Sequence, residues 1–306
     1  MPLHRDQGAV SAGQGAGMMH RHAVAVGEHP PQIDAKIAVT TRCNGRCKTC
    51  PVGFLESQYG ETMSFHRFVT LWDLLMASPR IGRVILNGTG ELYTIPDHVQ
   101  YLQYVEQHKS KPVILQTNGE LLDYVPMVDV MVISYNGGNK AAYEYTTGMS
   151  HDLMTENVRR YYPQLAMIPD LQLHVLMCEF NAESEADILQ TWGDFPGKIR
   201  VSYKYDNQMT TDRTLPAYRT GGRIFCDYLD GLSIWPDSTV ISCAHDMTRQ
   251  TVWGNILDDG IEGVLQHRDR LQKRWEHMNG QWTGLCERCN YNTPVDGRVK
   301  YLERTQ

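Results

Sequence analysis

The chain has 306 residues, of which 42% are hydrophobic and 21% charged, with a formal net charge of -6 at neutral pH. That length exceeds what one ordinary domain needs, and the composition is that of a folded chain rather than a disordered one. No basic block stands out and no apolar run reaches the roughly eighteen residues of a membrane helix, so neither nucleic acid nor membrane is expected as a partner.

Residues 1–32 are rich in Gly, Ala and His, end in Pro30-Pro31 and show no sustained period. A flexible N-terminal leader is expected there, with His4, His20, His22 and His29 spaced as solvated histidines rather than as ligands. No apolar h-region follows the basic residues, and the cysteines have metal-ligand rather than disulfide spacing. The expected compartment is the reducing cytoplasm.

From 33 to 205, short apolar runs alternate with helical patterns, the signature of βα units and a parallel sheet. The strands are expected at 36–41, 83–86, 113–117, 128–134, 171–177 and 199–203. Between the first two, Phe68, Leu71, Trp72, Leu75 and Met76 share one helical face. The next helix is expected to open at Thr94-Ile95-Pro96-Asp97 as a capping box and to continue through Val99, Leu102 and Val105. Further helices are expected at 152–162 and 184–192. Met131-Val132-Ile133 reads as a strand buried on both faces.

From about 206 the alternation stops, and a second domain is expected over 206–306. A hairpin is expected in it through Leu232-Ser233-Ile234-Trp235-Pro236-Asp237-Ser238-Thr239-Val240-Ile241.

Seven of the eight cysteines fall into two groups. Cys43, Cys47 and Cys50 sit on one tight loop directly after the first apolar run. Thiolates are soft ligands for zinc, copper(I) or iron-sulfur clusters, and a set of three is one short of a closed zinc shell. The other group is Cys226-x16-Cys243-x42-Cys286-x2-Cys289, enough to close a shell of four. After the second strand, Asn87-Gly88-Thr89-Gly90-Glu91 lets backbone approach a ligand beside a carboxylate. Asn118 lies just past the third strand and Ser134 ends the fourth, where α/β folds place their ligands.

The Cys-x3-Cys-x2-Cys loop resembles that of the radical S-adenosylmethionine (SAM) enzymes, in which three cysteines hold a [4Fe-4S] cluster and SAM chelates the fourth iron. The resemblance covers 33 to about 290. It implies an open, partial (β/α)6 TIM-like barrel. Gly88, Thr89, Gly90 and Glu91 resemble the family's Gly-Gly-Glu motif, which holds the SAM ammonium, with Thr89 standing at the middle glycine. Asn118 and Ser134 match positions that contact the SAM ribose or carboxylate. An aromatic residue often placed beside the adenine is replaced by Thr49, so that contact does not carry over. Cys226, Cys243, Cys286 and Cys289, with Gly254-Asn255-Ile256 between them, resemble the Twitch form of the SPASM auxiliary domain, which binds a second [4Fe-4S] cluster. Asp237-Ser238 departs from the relatives' Asp-Gly and leaves the hairpin turn type open.

The spacing is similar to that of aminocyclitol dehydrogenases of antibiotic biosynthesis. What this implies is hydrogen abstraction by a 5'-deoxyadenosyl radical from a small polar substrate, oxidation of a secondary alcohol to a ketone, and electron transfer to the auxiliary cluster. Flavodoxin or ferredoxin would be the electron donor. Lys204, Tyr205 and His174 lie near strand ends as candidate bases. Cys178, at the end of the fifth strand, has the burial expected of a packing cysteine, or would donate hydrogen in an epimerase. The alternatives are that epimerase, a ribosomal-peptide maturase, and a zinc-binding scaffold without catalysis.

Overall fold

Six aliphatic runs form the parallel half of one sheet: β1 (Ile33–Ile37), β2 (Ile81–Leu86), β3 (Val113–Thr117), β4 (Val130–Ser134), β5 (Asp170–Met177) and β6 (Lys198–Tyr203). They pair in chain order, each parallel to the next. The computed structural model describes residues 31–50, 60–86, 89–177, 185–203, 225–244, 246, 248–289 and 299–302. Contacts divide the chain into Met1–Pro31 and Gln32–Gln306, and every described strand and helix belongs to the second unit.

Alternation along the strands separates two faces. Ala35 and Ile37 of β1, Val84 and Leu86 of β2, Val113 and Leu115 of β3 and Leu173 and Val175 of β5 are buried in the core. The intervening positions are more open and largely polar: Asp34, Lys36, Arg83, Gln116, His174 and Arg200. Helix α1 (Phe65–Ala77) covers the apolar face with Phe68, Leu71, Trp72 and Leu75, and its first turn is capped by Ser64 Oγ, which accepts from Arg67 N. Helices α2 (His98–His108), α3 (Lys140–Thr147), α4 (His151–Arg160), α5 (Tyr162–Leu165) and α6 (Glu185–Trp192) follow along the chain. The sheet does not close: it is an open, partial (β/α) barrel of the expected class.

Several details differ from expectation. The first strand starts and ends earlier than 36–41 because the chain changes partner after Ile37. Ala38 N donates to Ile234 O, Thr40 bridges Thr62, and Thr41 N donates to Glu61 O at 2.9 Å. The capping box at 94–97 does not form. Leu92–Thr94 makes a 3-10 turn, Thr94 Oγ1 donates to Glu91 O at 2.7 Å, and α2 begins at His98 with no side-chain bond at its cap, Asp97. Strands β3 and β4 are joined by a short connection containing Pro126 rather than by a helix.

Beyond 206 the expected hairpin is present as β7 (Leu232–Ile234) and β8 (Thr239–Ile241), followed by β9 (Val252–Asn255). Strand β7 pairs parallel with the free edge of β1, so these strands continue the barrel sheet. At the far edge β10 (Val299–Leu302) runs antiparallel to β6, a strand the sequence pattern does not reveal. Both edges of the parallel sheet are thereby covered. Helices α7 (Ile256–Leu265), α8 (Arg268–Met278) and α9 (Leu285–Arg288) complete the region. Buried Arg270 of α8 donates to Leu265 O and Leu229 O, which fixes the turn that follows Cys226.

The backbone defines the hairpin turn. Ser238 N donates to Trp235 O at 2.8 Å and Trp235 N to Thr239 O at 2.9 Å, a type I turn closed by one residue in the left-handed region. That residue is Ser238, with φ 71°, fully buried and with an unpartnered hydroxyl among the described residues. A side chain in this conformation costs about 1–2 kcal/mol that glycine does not incur. Ser238→Gly is therefore expected to raise stability by about 1 kcal/mol, read as a higher denaturant midpoint with unchanged slope. A lower midpoint would refute the turn assignment.

Candidate functional site

The cysteine loop is held at its base, along its backbone and by one side chain. At the base, Thr41 Oγ1 accepts from Gly60 N at 2.8 Å and Glu61 N at 3.0 Å, and Thr40 Oγ1 donates to Glu61 O. Along the backbone, Arg46 N and Lys48 N donate to Thr147 O and Thr146 O, both at 2.8 Å. Those are carbonyls at the C-terminus of α3, which a helix leaves without internal partners. The next residue, Gly148, has φ 68° and ends the helix; a Cβ there would lie 3.2 Å from Arg46 Cβ.

The side chain is Asn44. Its Nδ2 donates to Glu120 Oε2 at 2.5 Å, and its Oδ1 accepts from Asn118 Nδ2 at 2.9 Å. Glu120 is buried, and its other oxygen accepts from Ser150 N at 2.5 Å. Asn118 Oδ1 accepts from Glu120 N at 3.0 Å, and Asn118 N donates to Glu91 Oε2 at 2.7 Å. Glu91 Oε1 also accepts from Thr117 Oγ1 at 3.0 Å and Tyr93 N at 3.3 Å. Burial raises the Glu91 carboxyl above its ordinary range, opposed by those same three donors. One network thus runs from the cysteine loop through the end of β3 to the turn after β2.

That turn lies hard against the loop. Glu91 N donates to Arg42 O at 2.7 Å, and a Cβ on Gly90 would stand 2.4 Å from both Arg42 O and Thr40 O, so only glycine fits. Thr89 is buried, and its Oγ1 has no protein partner among the described residues.

The three thiols are half-buried and sense one another. Burial pushes Cys43 up to about 11, opposed by the Gly45 N–H at 3.4 Å from its sulfur and reinforced by the charges of Glu91 and Cys50. Cys47 is raised further by burial and by Cys50 and Cys43. No group of three or more His, Cys, Asp or Glu side chains among the described residues converges as around a single metal ion. In a cluster each thiolate holds its own iron, so three thiols need only surround a shared volume.

Of the second group, Cys226, Cys243, Cys286 and Cys289 are all partly buried and none is in a disulfide. They lie before the 3-10 turn Asp227–Leu229, after β8, within α9 and at its end.

No protein-family model and no curated protein matches the sequence. Solved structures do match. BtrN in complex with AdoMet and 2-DOIA superposes with a TM-score of 0.55 at 15% identity, over 88% of this chain and 97% of that one. His-tagged anSMEcpe with bound AdoMet gives 0.60 at 13% identity, over 89% of each chain. Streptococcus suis SuiB bound to S-adenosylmethionine gives 0.60 at 11% identity, over 80% of this chain and 68% of that one. The fold is that of the radical SAM enzymes.

The residues of this radical SAM fold suit the group it implies. Cys43, Cys47 and Cys50 supply a soft donor set, and Thr89 Oγ1 is an orphaned buried polar atom in the glycine turn. Such an orphan is costly unless a ligand meets it.

The other predicted site residues divide. Ser134, at the end of β4, pairs in register with His174, and its hydroxyl has no side-chain partner among the described residues. Asn118 directs its side chain to the cysteine loop. His174 Nε2 lies 2.5 Å from Ser202 Oγ, and burial together with the Arg200 charge lowers its pKa to about 4. Gly88, Cys178, Lys204 and Tyr205 lie outside the described residues. Asn44, Glu120 and Arg200 join the site from outside the sequence-based expectation. Each carries a signal: an amide between two cysteines, an acid directly after a strand-end Asn-Gly, and an arginine inside the apolar run Ile199-Arg200-Val201.

Two outcomes test this geometry. Glu120→Ala removes the acceptor that holds Asn44, and the iron retained after anaerobic reconstitution and desalting should fall below that of the unaltered chain, with unchanged far-UV circular dichroism. Full iron retention would show that the network does not brace the loop. His174 is neutral when folded down to about pH 4, whereas an unfolded histidine titrates near about 6.5. The unfolded state therefore takes up the extra proton between these values, so stability is complete above the upper one and falls as pH drops toward the lower. His174→Gln should lessen that loss by at most about 3 kcal/mol, seen as a flatter Tm profile over this window; an identical acid limb would contradict the buried neutral imidazole.

Proposed function

We propose that this chain is a radical SAM enzyme acting on a small polar molecule, most simply an alcohol dehydrogenase that converts a secondary alcohol of a sugar or cyclitol to a ketone. The observation that carries the radical SAM reading is the cysteine loop, fixed by Asn44, Asn118, Glu120 and the Gly90-Glu91 turn at the strand ends of a barrel shared with AdoMet-bound proteins. In this reading Cys43, Cys47 and Cys50 hold a [4Fe-4S] cluster and the residues 88–91 receive SAM, with Thr89 Oγ1 donating to it and Ser134 Oγ facing its polar part. Glu91 acts chiefly by holding Asn118 and Thr117, since three protein donors already occupy its oxygens. When bound, the cluster and SAM supply one-electron cleavage of a carbon-sulfur bond and a 5'-deoxyadenosyl radical; the protein orients and shields it.

The chain's own residues then manage the substrate. The carbinol carbon gives up its hydrogen atom, the hydroxyl gives up a proton, and one electron leaves to complete the ketone. His174 is the candidate base within the described residues: neutral at physiological pH, with Ser202 Oγ accepting from Nε2–H, it keeps Nδ1 free to take the proton. Its low basicity suffices only for an acidified hydroxyl, which is what hydrogen abstraction at the adjoining carbon produces. Cys226, Cys243, Cys286 and Cys289 would hold a second [4Fe-4S] cluster, which would supply an acceptor for that electron. An external donor of the flavodoxin or ferredoxin type supplies the electron consumed in SAM cleavage.

A small substrate is favoured by a cavity of about 550 Å³ on the polar face of the sheet, lined from β1, β2, β6 and the segment 228–233. That volume falls within the usual range for small-molecule sites. Peptide modification is the second reading, favoured by the likeness to SuiB, which has also been solved bound to the precursor peptide SuiA at a TM-score of 0.57.

Anaerobically reconstituted protein with SAM and dithionite is expected to release 5'-deoxyadenosine, and Cys47→Ala to abolish it. Incubation with a panel of deuterated cyclitols and sugars should move deuterium into 5'-deoxyadenosine and yield a product short of two hydrogens. A product of unchanged mass would point to epimerisation, and turnover of peptides alone would overturn the small-molecule reading.

A further inference from the structure

The polar face of the barrel carries an arginine that finds no partner among the described residues. Ile199 and Val201 of β6 are buried in the core, so Arg200 projects from the opposite face, beside His174 in register. It lines the cavity of about 550 Å³ together with Asp34, Lys36, Arg83, Tyr228 and Asp230. Both carboxylates of that lining are already engaged. Asp34 pairs with Arg83, whose Nε donates to Oδ1 at 3.1 Å, and Asp230 pairs with Arg274. Lys36 Nζ sits 3.8 Å from the centre of the Tyr228 ring. Arg200, though partly buried, makes neither an ion pair nor a side-chain hydrogen bond among the described residues. The cavity therefore presents a cation without a counter-charge, and a guanidinium in such a place matches carboxylate or phosphate by paired N–H donors.

We propose that Arg200 receives an anionic group of the substrate, a carboxylate or a phosphate, in the barrel cavity. The assignment rests on the proposed enzymatic activity, and it narrows the substrate class to an acidic or phosphorylated polyol. Arg200 shares its cavity with Asp34 and Lys36 of β1, and none of the described lining residues belongs to the cysteine loop, which begins past Thr41. An anion seated there anchors the substrate at a distance from the cysteine loop and leaves its hydroxyl-bearing part for the region of His174 and Ser134.

The test is equilibrium binding to the reconstituted full chain, with no turnover involved, so it succeeds or fails independently of 5'-deoxyadenosine formation. Inorganic phosphate and malonate are titrated at constant ionic strength against chloride, by calorimetry and by thermal shift, with SAM present. One or both are expected to bind, and Arg200→Gln to weaken that binding at least tenfold while SAM binding is unchanged, with Arg200→Lys retaining part of it. Preference for phosphate identifies a phosphorylated substrate, and preference for malonate a carboxylate. Absence of binding beyond chloride, or equal binding by Arg200→Gln with SAM affinity intact, would overturn the proposal. It would equally be overturned if Arg200→Gln weakened SAM binding and SAM displaced phosphate, because the guanidinium would then serve the cofactor's own carboxylate.

Discussion

A loop that carries three thiols between Cys43 and Cys50 cannot be left to its own conformational entropy, which costs on the order of 1–2 kcal/mol for each residue fixed. Here that cost is met by groups the barrel already has in place. The α3 carbonyls of Thr146 and Thr147 accept from loop amides, and the Asn44 side chain joins Glu120 and Asn118. The buried Glu91 then ties Asn118 to the turn that Gly90 packs against the loop. Without this network the loop loses its ties to the ends of β2 and β3, while its clamp at Thr40 and Thr41 stays in place. The thiols themselves oppose the arrangement, since burial and mutual proximity raise Cys43 and Cys47. Metal binding would reverse that sign by stabilising thiolates.

The two faces of the sheet divide the labour. The buried face, with Ala35, Ile37, Val84, Leu86, Val113 and Leu115, packs under helices and provides stability. The other face carries the polar side chains Lys36, Gln116, His174 and Arg200, to which the proposed chemistry is assigned. Because β7 extends β1 and β10 covers β6, neither edge of the parallel sheet is bare. The hairpin that follows Cys226 is thereby fixed to the same strand that leads into the first cysteine loop.

Much of this is legible in the sequence, and the reasons differ by element. The six strands are recoverable because a parallel strand buried on one or both faces leaves a continuous apolar run, as in Val130–Ser134. The cysteine loop is legible because thiols at this spacing have few other uses, and the glycine turn becomes legible through its place after the strand next to that loop. Boundaries are less so: residues 38–41 continue the apolar run, and only the partner change to 60–63 and to Ile234 shows where β1 ends. Thr94 resembles a cap in sequence, yet its hydroxyl bonds locally to Glu91 O, a competition that any threonine near a turn can enter. The bracing of Asn44 by Glu120 is beyond reach, since it links positions 76 apart in sequence. Strand β10 is short and follows no pattern that separates it from a tail. Arg200 shows only as a charged interruption whose surroundings depend on the whole fold.

The proposed cluster at Cys43, Cys47 and Cys50 would keep one coordination position that SAM can fill. The most direct measurement is electron paramagnetic resonance of the dithionite-reduced, reconstituted protein with and without SAM, using Cys226→Ala/Cys243→Ala to isolate the first site. A [4Fe-4S] signal whose g values shift when SAM is added is expected. A signal indifferent to SAM, or a protein that takes up zinc at these cysteines and no iron, would contradict it.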